Sequence, residues 1–148
     1  MYADKFRLDG KVAIVTGGSR GIGKEIAIGF AEQGARLALA SRKQEALDGV
    51  AEEIRQKGSE CLAMACHMGK PDQIKSLFDK VVDTYGTVDI LVNNAATNPY
   101  FGPLVDASEE AWNKTLDVNL KGPFLMSQAA CRIMMQKSEE RRVGKSVP

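Results

Sequence analysis

Thr16, Gly17, Gly21 and Gly23 stand in the run TGGSRGIG, directly after the apolar stretch Val12–Thr16 and ahead of a helical pattern. Glycines at that spacing suit a turn that holds phosphate. The turn is tight, the absent side chains let backbone approach the ligand, and the following helix aims its first N–H groups at the negative charge. A plain strand-to-helix turn also uses glycines, so position decides: the cluster follows the first strand of an alternating strand and helix pattern, where a dinucleotide pyrophosphate is bound. The candidate contacts are Gly17, Ser19, Arg20, Gly21, Ile22 and Gly23.

A second group lies about 20 residues further on, where an acidic side chain would bond the adenosine ribose hydroxyls of NAD(H) and a basic one would pair with the extra phosphate of NADP(H). The chain has Ser41, Arg42 and Lys43 there, and no acid. A guanidinium grips phosphate through paired hydrogen bonds, whereas a carboxylate repels it. With Arg20 inside the glycine turn on the same side, NADP(H) is favoured over NAD(H). The competing reading is that Arg42 and Lys43 are solvated at a helix start. His67 and Met68 follow the third apolar run and are candidates for the adenine, by backbone or ring, against the alternative of a surface histidine.

The elements that must position these groups alternate along the chain. Short runs at Val12–Thr16, Arg36–Ser41, Cys61–Cys66 and Val88–Asn93 read as strands. Between them a helix is predicted from about Ile22 to Gln33 with Gly34 as its stop. A second carries Leu47, Val50, Ala51 and Ile54 at i, i+3, i+4 and i+7 and ends near Gly58. A third opens at Pro71 and Asp72, sets Ile74, Leu77, Phe78, Val81, Val82 and Tyr85 on one face, and closes at Gly86. After an irregular stretch with Pro99, Gly102 and Pro103, a long helix is predicted from near Ser108 to about Gln136. Its apolar side is read as Trp112, Leu116, Leu120, Met126, Met134 and Met135. The pattern is that of a parallel sheet with crossover helices.

Composition narrows the field. A length of 148 residues allows one core. A formal net charge of +1, with 44% hydrophobic and 26% charged residues, gives no field to attract nucleic acid or an anionic membrane. No apolar stretch approaches a membrane span, and the start MYADKFRLDGK is charged where a signal peptide is apolar, so a cytoplasmic location is expected. Cys61, Cys66 and Cys131 form no CxxC pair and, with the single His67, no metal set. All three are expected to be reduced and buried.

Three motifs together resemble the short-chain dehydrogenase/reductase family: the turn Thr16–Gly23 in its Thr-Gly-x-x-x-Gly-x-Gly form, Asn93-Asn94-Ala95-Ala96 after the fourth strand, and Asp117-Val118-Asn119 in the long helix. Their order matches as well, and the resemblance covers residues 6 to 136. It implies an α/β fold of Rossmann type, a doubly wound parallel sheet, here cut after the fourth strand and the long helix. Hydride transfer between a nicotinamide cofactor and a small-molecule carbonyl or alcohol is the implied activity, usually in a homo-oligomer with the long helix in the dimer contact. Asn94, Ala95 and Ala96 look like the residues that follow the cofactor's ribose and stabilise the central sheet. Cys66–Lys70 and Asn98–Gly102 resemble the branch with the NADPH-dependent carbonyl and retinal reductases. His67 departs from the family, which often has an aspartate there. Tyr100 and Phe101 either line a substrate mouth or pack within their loop.

The family's proton chemistry uses a serine, a tyrosine with a lysine four residues later, and an asparagine in the long helix that supports a water-linked proton path. Tyr2, Tyr85 and Tyr100 are followed four places on by Phe6, Asp89 and Leu104, so no Tyr-x-x-x-Lys exists in this chain. The one catalytic candidate is Asn119. Pro123, four residues after it, lacks the N–H that would bond the Asn119 carbonyl, so a kink with a freed carbonyl is predicted, against the plainer reading that Gly122-Pro123 ends one helix and starts another. Residues 137–148 carry six charges and two apolar side chains and are read as a disordered tail outside the domain of residues 1–136; Ser146 is not read as the catalytic serine. Two origins stay open, a family gene cut short with a foreign tail and a natural short product. The functional alternative is a non-catalytic dinucleotide-binding or interaction module. The uncovered fourth strand is expected to be an apolar edge open to aggregation.

Overall fold

The computed structural model describes residues 2–144. Val12–Thr16 (β1), Arg36–Ser41 (β2), Cys61–Ala65 (β3) and Ile90–Val92 (β4) form one parallel sheet in the order β3-β2-β1-β4. The helices are Gly21–Glu32 (α1), Gln44–Gln56 (α2), Pro71–Tyr85 (α3), Glu109–Leu116 (α4) and Gly122–Gly144 (α5). Chain order runs outward from β1 to β3 and then returns to place β4 on the other side. With crossovers of one hand, that reversal puts helices on both faces. The expected doubly wound α/β fold is the one observed.

Side-chain alternation explains which helix covers which face. In β1, Ala13 and Val15 pack with Leu37 and Leu39 of β2 against Ala27 and Ala31 of α1 and Leu47, Val50, Ala51 and Ile54 of α2. Val12 and Ile14 point the other way, with Ala38 and Ala40, toward α3 (Ile74, Leu77, Phe78, Val81) and Met126 and Ala130 of α5. β1 is covered on both sides, which is why its sequence is a continuous apolar run instead of an alternating one. Each fully buried Leu or Ile contributes about 1.5–3 kcal/mol, more than the net of about 0.5–1.5 kcal/mol for one ladder hydrogen bond, so the two apolar faces dominate the energetics.

The two outer strands are treated differently. On the free side of β3, Arg55 of α2 donates from Nε and Nη2 to the Cys61 carbonyl (3.2 and 2.7 Å). Gln44 donates to the Ala63 carbonyl (3.1 Å) and accepts from the Ala65 N–H (2.7 Å), as a neighbouring strand would. α2 thus seals that edge with its own side chains, a protection edge strands need. Beyond β4 no further strand lies among the described residues.

Several boundaries differ from expectation. β3 stops at Ala65 and β4 has only three residues, starting at Ile90. The predicted long helix is two helices joined by the π-helical turn Asp117–Lys121, where the Gly122 N–H bonds the Asp117 carbonyl. Its six apolar residues do not share a face: Met126 is fully buried and Met134 packs on the core, while Trp112, Leu120 and Met135 are exposed. Cys131 is exposed too, contrary to expectation, whereas burial pushes the Cys61 and Cys66 thiols up to about 12 and about 11. No break occurs at residue 136, since α5 continues to Gly144; residues 145–148, Ser146 among them, lie outside the described residues.

Lys137 fastens this helix to the sheet by donating to Asp89 Oδ1 (2.6 Å), while Asp89 Oδ2 accepts the Val12 N–H (3.0 Å) at the start of β1. Burial alone would raise the Asp89 carboxyl; the bonds from Lys137 and Val12 and the nearby lysine charges outweigh it and hold it below its ordinary 3.8. A depressed carboxyl stabilises the fold above its unfolded pKa and loses that stabilisation as pH falls through the lower folded value. Asp89→Ala is therefore expected to cost about 1–3 kcal/mol at pH 7. In urea titrations at several pH values, the gap to wild type should close below about pH 4; a gap that persists at low pH contradicts the assignment.

Candidate nucleotide-binding site

The glycine turn is pinned at the carboxyl end of the sheet. Gly17 N–H donates to the Ala40 carbonyl (2.7 Å), which places Ser41, Arg42 and Lys43 beside the turn, and Cys66 N–H donates to the Ser41 carbonyl (2.8 Å), which brings His67 and Met68 next in line. Gly17 has φ +66, and a Cβ on Gly23 would run into the Gly17 carbonyl oxygen, so both glycines are needed for strand and helix to meet so closely. Arg20, extended at the start of α1, makes no side-chain cap. At α4, by contrast, Ser108 Oγ accepts the Ala111 N–H (3.1 Å). The first N–H groups of α1 are thus left for an anion, at the positive end of a helix dipole.

Thr16 joins the turn to the loop after β4. Its hydroxyl, buried among apolar neighbours, donates to the Val92 carbonyl (3.2 Å) and accepts from the N–H groups of Asn94 and Ala95 (3.0 Å each). Asn94 Nδ2 donates back to the carbonyls of Thr16 (3.0 Å) and Gly17 (3.3 Å). The Asn94 amide nitrogen is spent on the turn itself, so this residue shapes the site. Asn93 donates to Ser127 Oγ on α5 (3.0 Å).

Cations without an ion pair occur elsewhere among the described residues, at Lys70, Lys80, Lys114 and Arg132, but three others gather at the turn. Lys24 pairs with Glu53 (2.7 Å) and Lys57 with Glu32 (3.1 Å), whereas Arg20, Arg42 and Lys43 are exposed and have no carboxylate or hydrogen-bond partner among the described residues. Three cations beside an uncapped helix start and a glycine cradle fit a phosphorylated dinucleotide. After β3, Gln73 accepts the His67 N–H (2.8 Å), and the His67 ring accepts the Gly69 N–H at Nδ1 (3.0 Å). The ring lies along an open cleft of about 580 Å³ against Glu109, Asn113 and Asp117 of the α4 segment; no residue of the glycine turn borders it. Met68 is buried in the core, which leaves its backbone as the group it offers.

Asn119 sits in the π turn. Its Nδ2 donates to the Thr97 carbonyl (2.8 Å) and its Oδ1 accepts the Thr97 N–H (2.7 Å), so the side chain is fully occupied in holding the loop after β4. Its backbone carbonyl gets no regular helical bond from Pro123, which has no N–H to donate. Tyr100 donates to the Pro103 carbonyl within its own loop (3.0 Å), and Phe101 is 97% exposed.

The structure brings the predicted residues into one row along the sheet's carboxyl edge: His67 and Met68, Ser41 and Arg42, the glycine turn, Asn94 to Ala96, then Asn119. Three further residues position the site. Thr16 has a legible sequence signal, a hydroxyl that ends an apolar strand, whereas Gln73 and Thr97 act by contacts that no local pattern announces.

Known proteins share this arrangement. The sequence model of the short-chain dehydrogenases matches residues 11–145. Human dehydrogenase/reductase SDR family member 4 is 41% identical over 140 residues, which are 95% of this chain and 49% of that protein. Tropinone reductase-like 3 of Erythroxylum coca is 39% identical over 124 residues, 84% of this chain and 48% of that protein. Among solved structures, a short-chain type dehydrogenase/reductase from Mycobacterium marinum superposes with a TM-score of 0.88 at 38% identity, covering 93% of this chain and 54% of that one. A metagenomic short-chain oxidoreductase solved in complex with NADP gives 0.84 at 38% identity, over 88% and 59%. The chain spans about half the length of most of the curated relatives it matches.

Replacing the Thr16 hydroxyl by methyl takes the partner from the Ala95 N–H and leaves the Asn94 N–H and the Val92 carbonyl with only their bond to each other (3.1 Å). Thr16→Val is expected to lose about 1–3 kcal/mol in urea unfolding, and Thr16→Ser markedly less. Equal losses in the two variants would show that packing, and not the hydroxyl, matters here.

Proposed function

Because the chain belongs to the short-chain dehydrogenase family, we propose that it carries the cofactor half of an NADP(H)-dependent oxidoreductase acting on a small-molecule carbonyl or alcohol. The observation that carries the cofactor choice is the trio Arg20, Arg42 and Lys43, unpaired beside an uncapped helix start, with no acid at the end of β2. Support comes from relatives solved with NADP and, for an L-sorbose reductase from Gluconobacter frateurii, with NADPH.

In this reading the N–H groups of Gly21, Ile22 and Gly23, with Ser19, hold the pyrophosphate. Arg20, Ser41 and Arg42 hold the extra phosphate, and His67 and Met68 border the adenine. Ala95 and Ala96 follow the ribose, with Asn94 fixing their backbone. The bound cofactor supplies a transferable hydride. Asn119 offers its freed carbonyl to a water on the proton path, while its side chain keeps the loop after β4 in place. Proton transfer itself needs an aligned acid and base, and this chain contains no Tyr-x-x-x-Lys.

Trp112, Leu116, Leu120 and Phe124 recur every four residues through α4, the π turn and the start of α5, and all are exposed to a third or more. That row is the contact surface for homo-oligomer formation. It also favours the second reading, in which the chain is a non-catalytic dinucleotide-binding module that docks on a longer partner through this helix.

Calorimetry on the chain should give NADPH binding at least about tenfold tighter than NADH, the worth of one charge-assisted phosphate contact, and Arg42→Ala should remove most of that difference. Equal affinities would contradict the cofactor choice. Carbonyl-dependent NADPH oxidation by this chain alone is expected to stay at background; turnover would mean that a base other than the family's tyrosine operates.

A further inference from the structure

We infer that Gly122 is a positioning residue: it lets the π turn lean on the Met68 carbonyl, so that one helical turn holds the loop after β3 and, through Asn119, the loop after β4. The inference rests on the cofactor reading above only for its effect on binding; the mechanical link stands on the contacts themselves.

The contacts are specific. A methyl group on Gly122 would lie 2.6 Å from the Met68 carbonyl oxygen, which no carbon tolerates, and 3.0 Å from Met68 Cβ. One on Gly69 would lie 3.6 Å from Asp117 Cβ, so the loop 67–69 meets the turn at both of its ends. Met68, Cys66 and Val118 are buried in the same cluster, which leaves no slack for the loop to retreat. Three residues before Gly122, on the same turn, Asn119 grips both backbone groups of Thr97. Glycine is otherwise unfavourable within a helix, and Pro123 beside it removes a further helical bond. A π turn that runs directly into both residues is costly unless it positions something.

A displacement of the turn by a few tenths of an ångström, which a side chain at residue 122 forces, moves Asn119 off Thr97. The Thr97 N–H lies in an exposed loop and has the Asn119 oxygen as its only acceptor among the described residues, so its hydrogen exchange reports the link directly. Gly49 of α2 is the control, since a Cβ there meets nothing within 4 Å.

The test is amide hydrogen exchange on the full chain, with Gly122→Ala, Pro123→Ala and Gly49→Ala beside wild type. Thr97 should exchange about tenfold faster or more in Gly122→Ala, the worth of one lost hydrogen bond, and the change should exceed that at the β1 amides of Ile14 and Val15. Pro123→Ala returns an N–H to the helix, relaxes the π turn toward regular α geometry, and should also speed Thr97 exchange even though alanine is the better helix former. Gly49→Ala should leave Thr97 unchanged. In parallel, Gly122→Ala should weaken binding of adenosine 2′,5′-bisphosphate about tenfold while Gly49→Ala does not. Unchanged Thr97 exchange in a folded Gly122→Ala overturns the inference, as does a rise shared equally by the β1 amides. Should Gly122→Ala not fold, Pro123→Ala decides alone. Failure of wild type to bind the bisphosphate counts against the cofactor reading and leaves the Thr97 result standing.

Discussion

One buried hydroxyl governs how the carboxyl end of this sheet is assembled. Thr16 is the last residue of the innermost strand, and its side chain bonds the carbonyl that ends β4 and two N–H groups of the loop after it. A parallel sheet leaves its strand ends without partners, since each strand simply runs out into a loop. Here a side chain supplies the missing partners, and Asn94 answers with bonds to the first residues of the glycine turn. The glycine turn and the loop beyond β4 are thereby joined into one piece. Preorganisation of that kind matters because a binding loop ordered beforehand loses less entropy when it captures a ligand.

Much of this is legible in the sequence. Strand and helix alternation, the glycine turn and the apolar stripe of α2 arise from periodicity and backbone chemistry, and those features depend on neighbours close in the chain. The stripe Leu47, Val50, Ala51 and Ile54 is buried in full. The features that escape depend on distant partners. Sequence alone makes Asn94 a cofactor residue and Asn119 a catalytic one, and in the structure their side-chain amides are spent on backbone groups 77 or 78 and 22 residues away. Counting at regular α spacing assigns the apolar residues of the predicted long helix to one face. A π turn inserts a residue and rotates the helix beyond it, which carries Met126 into the core and leaves Trp112 and Leu120 outside. Charge composition gives the wrong sense of residues 137–144, because a helix already anchored on the sheet extends more readily than one that must nucleate, and Lys137 finds Asp89.

The asymmetry of the sheet's two edges fits the functional reading. β3 is closed by Arg55 and Gln44, which spend three side-chain hydrogen bonds to carbonyls and one to an N–H on backbone that would otherwise pair with a stranger. β4 has no such cover among the described residues, and the row from Trp112 to Phe124 is exposed.

On the proposed function, the row of residues along the carboxyl edge is one dinucleotide site with a phosphate-reading cation cluster. Titrating isotope-labelled chain with NADP+ and following amide shifts tests it most directly. Saturable shifts with a single affinity are expected at Gly17 to Gly23, at Arg42 and Lys43, and at Ala95 and Ala96. Shifts confined to the cleft between His67 and Asp117, or no saturable shift at all, would contradict it.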